Sequence, residues 1–113
     1  MIRIKAVDAQ NVLEVCELTT NQDDIGMATE VPVCRNAISI AEAKYNVEMY
    51  PNAIYNYNVL IGFFMYRRTE MQAETVNIYR FMVDEKFQHK ELEKKALEYI
   101  LRGLKIQGVK KLS

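Results

Sequence analysis

The residues best placed for chemistry stand where an extended apolar run gives way to a charged helix, in Glu74–Gln107. Val76, Ile78, Phe81, Met82 and Val83, mixed with Thr75 and Tyr79, suit a strand buried on both faces. Asp84, Glu85 and Lys86 break that run, and a helix is expected from Lys90. A strand running through a polar turn into a helix presents free N–H groups and the positive end of the helix dipole. Anion binding is the chemistry expected there. Nucleophilic and metal chemistry find less support. His89 is the sole histidine, and no Ser/His/Asp or Cys/His set can be assembled around it. Cys16 and Cys34 stand at no metal-ligand spacing and read as reduced cytoplasmic thiols, so no metal is expected.

The charge pattern adds a second clue. The net charge is +0, but residues 1–58 carry −4 and residues 59–113 carry +4. An acidic half suits a cationic ligand and a basic half a phosphorylated one; chance scatter of solvated charge is the bland alternative. Lys and Arg form no stripe interleaved with aromatics, so nucleic acid is not an expected partner. The longest apolar runs, such as Val59–Tyr66, are too short to cross a bilayer, and Met1–Val7 does not resemble a signal sequence. A chain of 113 residues, half of them apolar, is expected to form one domain around one core.

The elements that must position these residues can be read in order. Ile2, Ile4 and Ala6 alternate with Arg3, Lys5 and Val7, giving a first strand. Asp8 offers an N-cap for a helix to about Leu18, with Val12, Leu13, Val15 and Cys16 turned to the core. Thr19–Val33 is polar and aperiodic, a loop long enough to suspect function. Arg35–Asn46 is a second helix with Ala37, Ile38, Ala41 and Tyr45 on one face. Pro51-Asn52 turns the chain into a strand at Ala53–Tyr57, Asn56 to Asn58 form a hairpin tip, and Val59–Arg67 is the return strand. Gly62 marks a bulge or a close approach. After the polar connection Arg68–Ala73 comes the run already described. Its helix carries Leu92, Ala96, Leu97, Ile100, Leu101 and Leu104 as one stripe, and Gly108 ends it before a strand at Val109–Leu112. The order β-α-α-β-β-β-α-β predicts an α+β fold: a mostly antiparallel sheet with helices on both faces.

These segments also carry a family resemblance. IYRFMVDEKFQHKELEKKAL resembles motif A of the GNAT acyltransferase superfamily, where a central strand leads into a Gln/Arg-x-x-Gly-x-Gly/Ala turn that cradles the pyrophosphate of acetyl-CoA. Upstream, NAISIAEAKYN, PNAIYN and VLIGFFMY resemble, in the same order, the bacterial spermidine/spermine N-acetyltransferase branch. The resemblance covers Ile2 to Ser113 and depicts a GNAT domain without its last helix and strands. The sheet would then end in an exposed edge, which predicts a homodimer or swapped assembly. The departures lie in the turn: Gln88 keeps the pattern, while the glycines fall at His89, Glu91 and Glu93. At about 4–5 Å and an effective dielectric near 20, each carboxylate would repel a phosphate by roughly 3–4 kcal/mol before screening.

The resemblance therefore implies an N-acetyltransferase using acetyl-CoA as co-substrate and a polyamine or other small amine as acceptor, with activity weakened or lost. A degenerate GNAT module with a binding or assembly role is the alternative. The implied donor site comprises Met82 and Val83 for the pantetheine arm and Gln88, His89, Lys90, Glu91, Leu92, Glu93 and Lys94 for the pyrophosphate. Glu30, Glu42 and Glu48 are the carboxylates expected to meet the amine. Glu74, Asn77 and Tyr79 are candidate catalytic positions on the central strand, with Tyr66 a further tyrosine able to reach the cleft. Asn77 stands near the position of the family's base, and an amide accepts no proton usefully at neutral pH.

Overall fold

The computed structural model describes residues 1–19, 35–88 and 90–112. Its elements are β1 (Ile2–Ala6), α1 (Val12–Glu17), α2 (Arg35–Lys44), β2 (Met49–Asn56), β3 (Val59–Arg67), β4 (Thr75–Val83), a single 3-10 turn at Glu85–Phe87, α3 (Lys90–Ile106) and β5 (Lys111–Leu112). The sheet order is β1-β2-β3-β4-β5. The first four strands pair antiparallel, and β5 lies parallel to β4 because α3 carries the chain back across the sheet. The expected α+β architecture and element order are observed.

Two apolar layers explain why the central strands read as continuous hydrophobic runs. On one face, Ile54, Ile61, Phe64 and Val76 pack against Leu92, Ala96, Ile100 and Leu104 of α3. On the other, Ala53, Phe63, Met65 and Met82 pack beneath Val15 of α1 and Ile40 and Ala43 of α2. Neighbours such as Phe63 and Phe64 point to opposite faces, and both are buried because both faces are covered. Beside the β2–β3 irregularity at Ile54/Tyr55, Gly62 faces Val83. A Cβ there would collide with the main-chain oxygen of Met82, so the close approach expected at this glycine is present.

Several expectations are corrected. α1 starts at Val12, not just after Asp8. Asp8 instead accepts main-chain hydrogen bonds from Gln10 (2.9 Å) and Asn11 (3.1 Å), while Asn11 Oδ1 accepts from Asp8 N at 2.9 Å. This reciprocal turn precedes the helix and leaves Leu13 exposed. On α2 the inward face is Asn36, Ile40 and Ala43, whereas Ile38 and Tyr45 are exposed. A buried asparagine sets the helix phase, so apolar spacing alone misplaced it. On α3, Leu97 and Leu101 flank the buried stripe and are partly exposed. β2 runs straight through Pro51, whose carbonyl accepts from Val7 N at 3.1 Å, instead of turning there. At the hairpin tip Asn56 pairs with Val59, and the left-handed conformation falls on Tyr57 (φ 55) instead of an asparagine. β4 is not buried on both faces throughout. The β3–β4 register shifts between Met65, opposite Arg80, and Tyr66, opposite Ile78, which leaves Tyr79 unpaired and half exposed.

Candidate functional site

β4 has something to offer a ligand at each end. At its C-terminal end Val83 leads into Asp84, a buried carboxylate that accepts from Lys86 N (2.9 Å) and from Thr19 N at the end of α1 (3.0 Å). Thr19 O in turn accepts from Glu85 N at 2.9 Å. Gln88 folds back so that its Nε2 donates to Val83 O at 2.8 Å, closing the turn onto the strand. Leu92 is buried against the sheet and anchors the first turn of α3, whose N–H groups have no partner within the helix. Glu91 is exposed and Glu93 partly so, and both acids sit in that first turn. They complement the helix dipole themselves, and so compete with any incoming anion.

Met82 and Val83 have buried side chains, and the Met82 sulfur lies 3.7 Å from Asn36 Nδ2. What these two residues can offer a ligand is main chain. β5 pairs with β4 only at Thr75 and Val76. From Asn77 to Val83 that edge of β4 has no strand partner among the described residues.

At the N-terminal end of β4 is a cleft of about 680 Å³. The α2–β2 turn contributes Glu48, β2 contributes Tyr50, and the end of β3 with its following connection contributes Arg67, Arg68, Thr69 and Glu70. Thr75 and Asn77 complete it from β4. Arg67 Nη2 and Glu48 Oε2 are 3.5 Å apart with both side chains more than a third exposed, a pair worth on the order of 0–1 kcal/mol. Arg67 Nε is buried and has no hydrogen-bond partner among the described residues. Arg68 is committed elsewhere: Nε donates to Ala73 O (2.7 Å) and Nη2 to Gln107 O (2.9 Å), tying the connection to the end of α3. Tyr50 stacks on Tyr66 at 5.1 Å, and Tyr66 leans on Phe64 at 5.3 Å. Burial raises the Tyr66 pKa above its ordinary 10.0, as does Tyr50, while Arg68 opposes the shift.

The cleft brings together two of the residues nominated from sequence, Glu48 and Asn77, and adds Arg67, Arg68 and Glu70. Arg67 closes a strand and Arg68 and Glu70 belong to a stretch that reads as a plain polar connection, so only the paired charges Arg67-Arg68 and Glu70 could have drawn attention to them. The remaining nominees stand apart. Glu42 is exposed on α2 away from the cleft. Glu74 forms an exposed ion pair with Lys110 (3.4 Å), and its carbonyl accepts from Lys110 N and Lys111 N, so it fastens the start of β5. Tyr79 occupies the bulge, and Lys94 is exposed on α3. Glu30, His89 and the side chain of Lys90 lie outside the described residues. Among the described residues no group of His, Cys, Asp and Glu is placed to hold a metal ion, and no helix is long and apolar enough to cross a membrane.

No protein-family model and no curated protein matches the sequence. Solved structures do match the fold. An acetyltransferase from Thermus thermophilus is 16% identical, with a TM-score of 0.72 over 98% of this chain and 73% of that one. A GNAT family acetyltransferase from Staphylococcus aureus is 18% identical, with a TM-score of 0.67 over 98% and 83%. The PaiA N-acetyltransferase of Thermoplasma acidophilum, solved in complex with coenzyme A, is 16% identical, with a TM-score of 0.59 over 96% and 75%. At these identities the likeness is one of fold, and the fold is that of the GNAT acetyltransferases.

Proposed function

We propose that this chain is an acetyl-CoA-dependent N-acetyltransferase acting on a small amine. The observation that carries the reading is the course of β4, which runs from a charged cleft at its start to the N-terminal end of α3 beyond its turn. The two ends are roughly 20 Å apart at the usual rise of a strand. Main-chain N–H groups of Glu91, Leu92 and Glu93 would hold the donor's pyrophosphate, and the edge from Asn77 to Val83 would align its amide-bearing arm. The deprotonated amine then attacks the thioester carbonyl carbon, the C–S bond breaks, and the proton lost from nitrogen ends on the departing sulfur. The segment resemblance implies a polyamine or other small amine as acceptor, with Glu48 the carboxylate available to meet an ammonium group.

Glu91 and Glu93 favour a second reading, a GNAT-type module that binds or assembles without catalysis. Calorimetric titration with acetyl-CoA, and with coenzyme A as control, separates the two. For a weakened acetyltransferase we expect binding near the micromolar range, tightened about five- to tenfold in a Glu91→Gly/Glu93→Gly double variant, as removal of two unfavourable helix-end charges implies. No binding at millimolar ligand, and no gain from the double variant, would leave the binding module standing instead.

A further inference from the structure

The cleft at the start of β4 carries two carboxylates, Glu48 and Glu70, and two guanidinium groups, Arg67 and Arg68. We infer that its ligand is a small amino-carboxylate, bearing one ammonium and one carboxylate, in preference to a bare polyamine. The inference refines the acceptor of the proposed acetyl transfer and rests on that reading only for what happens to the bound amine.

A polycation entering the cleft would meet Glu48 and Glu70, but it would also be forced beside two arginines. Arg68 cannot swing away without giving up its bonds to the carbonyls of Ala73 and Gln107. A dicarboxylate meets the converse problem at the two glutamates. A molecule with one group of each sign has a partner for both. Arg67 is the natural receptor for its carboxylate, because a guanidinium offers a planar fork of donors and this one makes a single long contact, 3.5 Å to Glu48. Its buried Nε also lacks an acceptor among the described residues. Once a ligand carboxylate takes over Arg67, Glu48 is released to face the ammonium, so ligand and protein exchange partners without leaving either charge alone. Thr69, Thr75 and Asn77 add neutral polar residues to the lining.

Three four-carbon probes isolate the charge pattern: γ-aminobutyrate, putrescine and succinate, each titrated by calorimetry in the absence of acetyl-CoA. The expected result is that γ-aminobutyrate binds about tenfold or more tightly than either of the others. Arg67→Met should remove that advantage while leaving putrescine binding equal or tighter. Glu48→Gln, which keeps the side-chain shape, should weaken γ-aminobutyrate and spare succinate. Putrescine binding as tightly as γ-aminobutyrate, or no probe binding at ~50 mM, would overturn the inference. Because no donor is present, this outcome is independent of the acetyl-CoA titration: either reading can fail while the other survives.

Discussion

Gly62 shows how one missing side chain sets the spacing of the two strands that carry the candidate site. The residue faces Val83, and Asp84 N donates to Ile61 O at 2.7 Å, so β3 and β4 approach closely where β4 enters its turn. A methyl group at Gly62 would press on main chain, which cannot rotate aside as a side chain can. Gly62→Ala is expected to destabilise the fold by about 2 kcal/mol or more, read as a lower midpoint in urea. An unchanged midpoint would mean that the strands are not held this closely. The glycine's role was legible in sequence as an isolated Gly within an apolar run. The role of Asn36 was not. It is fully buried, donates to Val15 O at 2.9 Å and accepts from Arg80 Nε at 2.7 Å, so it knits α1, α2 and β4 together. A polar residue buried for its hydrogen bonds leaves no mark in a hydrophobic pattern.

Among the elements, α3 was the easiest to read, because a single sheet face buries a single stripe and the period of 3.6 shows through. Leu92, Ala96, Ile100 and Leu104 recur at every fourth position and are all buried. α3 also contains an interior glycine. A Cβ at Gly103 would meet nothing within 4 Å, because the helix faces a space of about 320 Å³ bordered by Asn52, Tyr66 and Tyr99. Gly103→Ala should therefore recover the helix propensity with no steric cost, about 0.8–1 kcal/mol. A thermal melt should show a rise in Tm of about 4–8 °C, whereas a fall would show the space to be smaller than it looks. α2 was harder, since its inward face mixes a polar anchor with Ile40 and Ala43. The bulge in β4 was invisible, because register depends on the partner strand, and a sequence pattern does not report which residue faces which.

Across the whole molecule, the fold was legible and the cleft was not, for one physical reason. Sheet and helices follow from periodicities within single segments, whereas the cleft exists only because Glu48, Arg67, Glu70 and Asn77 converge from separate elements. The turn before α3 lies between these extremes. Its anion-binding potential was visible as a strand-to-helix junction, but its tie to α1 was not. That tie has a consequence for the timing of local motion. Thr19 N donates to Asp84 Oδ2 while Glu85 N donates to Thr19 O, so neither amide can open without loosening the other. In hydrogen exchange the Thr19 and Glu85 amides should show matched protection, and Asp84→Ala should speed both together; protection that remained different at the two sites would rule out a shared opening. A pull on the chain at Thr19 would then reach the mouth of α3 before any ligand arrived there.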